Sequence, residues 1–156
     1  MKYIKLLIIC FSILFLKSCG YKNLNSEGFN KYKIDQLDIK GDQKLVNKLK
    51  NNIEIYSDQN STITYNIKIN LITLKESKIK NTAGKTTRYS KILQANIVVT
   101  NTNNQNEYKK QFNSINDYDV EATHSDTLSN EKKATENSLN FISNEIIKYL
   151  KLLNLQ

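Results

Sequence analysis

The sequence predicts an α+β fold, a two-layer sandwich in which a mostly antiparallel four-stranded sheet carries two helices packed on one face. Three observations predict it. Ile63, Tyr65, Ile67, Ile69 and Leu71 alternate with Thr64, Asn66, Lys68 and Asn70, the period-two pattern of a strand buried on one side only. Leu139, Ile142, Ile146, Leu150 and Leu153 recur at helical spacing, the stripe of an amphipathic helix. The order of periodic segments is strand, helix, three strands, helix, which sets helices against a run of consecutive strands.

Each element has its own signal. Residues 32–39 (YKIDQLDI) carry the aromatic and β-branched residues of a first strand. Gly41 and Asp42 follow, and Asp42 suits a helix N-cap because its carboxylate accepts from free N–H groups. Leu45, Val46, Leu49 and Ile53 then share a helical face, with the end expected near Asn51 and Asn52. After Leu71 the apolar phase slips to Ile72 and Leu74, which predicts a bulge or the end of core contact. Residues 75–88 read as a hairpin loop with Gly84 near its tip. Residues 89–100 form the next strand, with Leu93, Ala95, Ile97 and Val99 in phase. Residues 101–106 are a polar turn, residues 108–115 a fourth strand with Tyr108 and Phe112 on one face, residues 116–129 a polar crossing and residues 130–153 the closing helix. Its stripe is expected to cover the sheet, so that Ile67 and Ile69 meet Ile142 and Ile146; a lipid-binding groove between helix and sheet is the alternative.

The N-terminus has a different character. Lys2 and Lys5 precede an apolar run over residues 6–16, and the small Ser18 stands just before Cys19. That is the plan of a secretory signal peptide; the run is shorter than the about 20 residues that span a bilayer. A cysteine at the cleavage point makes the segment resemble a bacterial lipobox, in which the thiol is alkylated with diacylglycerol and the cysteine becomes the first residue of the mature chain. Lys17 departs from the small residue usual there. An uncleaved helix and an ordinary signal peptide with an incidental cysteine are the other readings. The expected organisation is residues 1–18 as lipoprotein signal peptide, 19–31 as lipidated tether and 32–156 as one α+β domain.

The formal charge of +8 falls to +5 once Lys2, Lys5 and Lys17 are removed. Cys10 leaves as well, so Cys19 is the last cysteine and no intramolecular disulfide can form. A moderate positive charge favours anionic partners, and export argues against nucleic acid. His124 is the single histidine; beside Asp126 it makes at most a weak metal ligand, because a site needs several converging donors. No serine stands in a nucleophile elbow, no pair of carboxylates is singled out, and no P-loop or dinucleotide fingerprint occurs. The expectation is a non-enzyme, with no catalytic residue, no metal and no cofactor beyond the covalent lipid on Cys19. The one local cluster of charge is Lys75, Lys78, Lys80, Lys85 and Arg88, opposed only by Glu76. Such a cluster suits phosphate or carboxylate, or is simply a solvated loop.

Cys19-Gly20-Tyr21 with Leu24, the strand beginning at Tyr89 with Ala95 at mid-length, Phe112, Tyr118-Asp119 and Ala122-Thr123 before the last helix together resemble the lipopolysaccharide-assembly lipoprotein family, LptE. Asn23 stands where many members have proline. The resemblance spans nearly the whole chain and rests on the order of elements more than on any one motif. It implies an outer-membrane lipoprotein that plugs the β-barrel LptD, assists its assembly and takes part in lipopolysaccharide delivery, facing the periplasm from within the barrel lumen. The outward row Thr64, Asn66, Lys68 and Asn70 suits a wet lumen wall. The family's basic loop between the second and third strands is linked to lipopolysaccharide contact. Lys80-Asn81 is the nearest match, with Lys78, Lys85 and Arg88 beside it. The family's second basic position, before the last helix, is replaced here by Asp117, Asp119, Glu121 and Asp126, with His124 the only candidate cation. The alternative reading is a periplasm-facing lipoprotein accessory to a phospholipid transport system, binding lipid on its own.

Overall fold

The computed structural model describes residues 32–153. The expected signal peptide and tether, with Cys19, lie outside the described residues. Within them the order is β1 (Lys33–Lys40), α1 (Gln43–Glu54), β2 (Thr64–Lys80), β3 (Thr86–Asn101), β4 (Glu107–Asp119) and α2 (His124–Leu153). The sheet runs in chain order, β1-β2-β3-β4. β1 and β2 are parallel, while β2–β3 and β3–β4 are antiparallel. A parallel pair needs a crossover, and α1 supplies it. The α+β sandwich with a mostly antiparallel sheet is therefore the observed fold.

Gly41 ends β1 at a tight place. Its φ is +146°, and a Cβ there would lie 2.9 Å from the Leu71 Cβ and 3.0 Å from its carbonyl oxygen. Only glycine lets the chain leave the sheet so close to β2. Asp42 then caps α1, its carboxylate accepting from the backbone N–H of Lys44 at 3.0 Å and of Leu45 at 3.3 Å. The helix runs past Asn51 and Asn52 to Glu54. Two contacts carry that last turn: Ile53 is buried in the core, and the Asn52 amide donates to Ser143 Oγ on α2 at 3.1 Å.

One sheet face is covered. Tyr65, Ile67, Ile69 and Leu71 of β2 and Leu93, Ala95, Ile97 and Val99 of β3 join Leu49 and Ile53 of α1 and Leu139, Ile142, Ile146 and Leu150 of α2 in one core. The stripe of α2 thus packs into the sheet. The open face is polar at its centre, where Asn70, Asn96 and Gln111 stand opposite one another across three strands.

The choice left open after Leu71 is settled, and two expectations change. Register is unbroken from Tyr65 to Ser77, so the phase slip after Leu71 is the end of core contact; Leu74, Ile92 and Ile115 form an apolar row across the open face, with Leu74 and Ile115 exposed. The bulge comes later, between Ser77 and Lys80. Residues 75–88 are not a loop: β2 continues to Lys80 and β3 starts at Thr86. The polar crossing at 116–129 shrinks likewise, because β4 reaches Asp119 and α2 begins at His124. Thr123 caps α2, with Asp126 N–H donating to Thr123 Oγ1 at 3.1 Å and that hydroxyl donating to the Asp126 carboxylate at 2.6 Å.

Candidate functional site

The far end of the β2–β3 hairpin gathers the basic residues. Its turn is built by Asn81, whose side-chain oxygen accepts from Ala83 N–H at 3.1 Å and Lys85 N–H at 2.9 Å. Asn81 N–H also donates to the Lys85 carbonyl at 2.9 Å. Gly84 takes φ +77°, the left-handed conformation such a turn requires. Lys80 closes β2 and Lys85 precedes β3, so the two lysines flank this turn, both exposed. Among the described residues neither has a carboxylate within ion-pairing distance.

Lys78 and Arg88 are held differently. Arg88 grips Asp119 with two parallel hydrogen bonds, Nε to Oδ1 at 2.6 Å and NH2 to Oδ2 at 3.1 Å. Lys78 donates to Asp117, whose other oxygen accepts from Ser90 Oγ at 2.7 Å. Hydrogen bonds from Lys78 and then Ser90 hold the Asp117 carboxyl below its ordinary range, and the Arg88 guanidinium does the same for Asp119. All these side chains lie on the open face, because Ser90 stands opposite Asp117 and Arg88 opposite Asp119.

The covered face at this end has its own charges. Lys75 of β2 and Lys91 of β3 stand opposite each other and both donate to Glu131 of α2, at 2.8 and 2.9 Å. Burial works to raise the Glu131 pKa, but the hydrogen bonds from Lys75 and Lys91 prevail and hold it at about 2. Tyr89 and Tyr118 stack beside them with ring centroids 5.8 Å apart, and the Lys75 ammonium lies 4.4 Å from the Tyr89 centroid.

The structure thus brings Lys78, Lys80, Lys85 and Arg88 to one end of one hairpin, Lys78, Lys80 and Arg88 on its strands and Lys85 in the turn just before β3. His124 opens α2, and among the described residues no group of three His, Cys, Asp or Glu side chains is placed to hold a metal. Asp117, Asp119 and Glu131 are the residues that sequence reading left out of the site. A signal for the first two was present: Tyr118 continues the even-numbered phase of Tyr108 and Phe112, which places 117 and 119 on the opposite face of a longer strand.

No protein-family model matches the chain, and no curated protein sequence matches it. Solved structures do. Rare lipoprotein B from Shewanella oneidensis superposes with a TM-score of 0.61 at 9% identity, over 81% of this chain and 97% of that one. A lipoprotein from Caulobacter crescentus gives 0.53 at 12% identity, over 76% and 90%. The solution structure of the uncharacterized lipoprotein B from Nitrosomonas europaea gives 0.56 at 11% identity, over 86% and 92%. The fold is one that bacterial lipoproteins share.

Proposed function

We propose that this chain is a non-catalytic outer-membrane lipoprotein that seats in the lumen of the LptD β-barrel, assists the barrel's assembly and takes part in lipopolysaccharide delivery to the cell surface. The observation that carries the reading is a coincidence of features. A lipobox-like end at Cys19 precedes a fold shared with bacterial lipoproteins, and the hairpin between its second and third strands collects Lys78, Lys80, Lys85 and Arg88. Acyl chains on Cys19 hold the chain at the inner leaflet, since each buried methylene contributes about 0.8 kcal/mol. The amide-rich open face then meets the polar lumen wall, and the basic hairpin meets lipopolysaccharide phosphates. The rival, a lipoprotein that binds phospholipid alone, calls for an apolar groove between helix and sheet. Here the stripe Leu139, Ile142, Ile146 and Leu150 is fully buried against the sheet.

The test is affinity purification of the tagged full-length chain from its own membranes. The reading predicts acyl groups at Cys19 by mass spectrometry and LptD in stoichiometric amount. A chain that purifies with bound phospholipid and without the barrel contradicts it.

A further inference from the structure

We propose that Asp117 and Asp119 form a carboxylate latch on the basic hairpin, holding Lys78 and Arg88 in ion pairs so that only a ligand with closely spaced phosphates opens the full four-cation site. The inference rests on the reading of the hairpin as a lipopolysaccharide contact and adds the residues that set its threshold.

The geometry supports a latch in three ways. Asp119 engages Arg88 through the guanidinium fork, the same edge that a phosphate would take. Asp117 is fixed by Ser90 on the neighbouring strand, at a place where a small residue leaves room for Lys78 to reach across β3. The bulge between Ser77 and Ile79 re-aims β2 at the position of Lys78. Glu76, Ser90 and Asp117 stand in one cross-strand row, so an incoming anion meets a third carboxylate as well.

The consequence is selectivity by charge. With the latch closed, only Lys80 and Lys85 are open to an incoming anion. A single carboxylate-like ligand gains nothing by replacing Asp117 or Asp119, since it offers the same charge without their tether. A ligand with two phosphates brings more negative charge to the same positions and can take Lys78 and Arg88 together. Lys75 and Lys91 take no part, because Glu131 holds them on the other face.

The experiment compares wild type with the Asp117→Asn/Asp119→Asn variant by calorimetric titration with purified lipopolysaccharide and, separately, with inorganic pyrophosphate. Asparagine keeps the shape and removes the charge. Opening the latch is expected to tighten both probes about tenfold. Asp35→Asn/Asp38→Asn removes the same charge from β1 and is expected to leave both affinities unchanged. An affinity gain below about twofold with both probes, or an equal gain in the β1 variant, overturns the latch. Should the double variant fail to fold by circular dichroism, each single variant is expected to show about a threefold gain, and no gain in either overturns the proposal equally. The underlying site reading fails separately: Lys80→Glu/Lys85→Glu would then bind lipopolysaccharide like wild type, whatever the aspartate variants do with pyrophosphate.

Discussion

The two ends of the sheet are held together by different forces. Near β1, strands β2 and β3 turn Tyr65, Ile67, Ile69, Ile97 and Val99 into a closed apolar core under both helices. Near the hairpin turn, the same two strands carry Lys75, Lys78, Arg88 and Lys91, each tied to an acid on β4 or α2. Apolar burial is non-directional and hard to exchange. Ion pairs at a surface contribute little net stability and can be traded for another anion. One end is therefore suited to holding the fold, and the other to meeting a charged ligand.

The largest effect should come from the apolar end. Ile67→Ala or Ile142→Ala removes a fully buried side chain and should cost about 2–5 kcal/mol in denaturant unfolding. A melt like that of wild type would mean that the core does not centre there. Gly41→Ala comes next, at about 1–3 kcal/mol, because the new Cβ meets Leu71 at 2.9 Å in a left-handed backbone. A neutral result would show that β2 yields at Leu71 without cost.

Acid should loosen the hairpin end first. Glu131 titrates at about 2 in the fold, against 4.5 for its ordinary value. Its contribution is thus fully present above about pH 4.5 and lost as pH falls toward 2. Solvent screening keeps the loss to about 1–2 kcal/mol. Glu131→Gln should remove that pH dependence, and an unchanged profile would mean that other carboxylates carry it.

The same contrast explains what the sequence reveals. Where the core is apolar, the pattern is legible: Ile63 to Leu71 alternates, α2 carries its stripe, and the fold class, element order and turn at 101–106 follow directly. Where charges replace apolar residues, the pattern fades. Lys75 and Lys91 point inward as Ile69 and Ile97 do, but inward lysines look like loop until Glu131 is placed between them. Asp117 and Asp119 read as a polar crossing for the same reason. The clustering of Lys78, Lys80, Lys85 and Arg88 was legible; the acids that engage two of them are distant in sequence, and only the sheet register brings them together.

The most direct test separates binding from folding at the hairpin end. Lys80→Glu/Lys85→Glu reverses the two cations that flank the turn and touches no ion pair among the described residues. Wild type and variant are titrated with purified lipopolysaccharide at low and physiological salt, with thermal melts of both. The account predicts that the variant binds at least about tenfold more weakly, that wild-type affinity falls as salt screens charges beyond about 8 Å, and that the two melts coincide. Equal affinity for wild type and variant at both salt concentrations would contradict it.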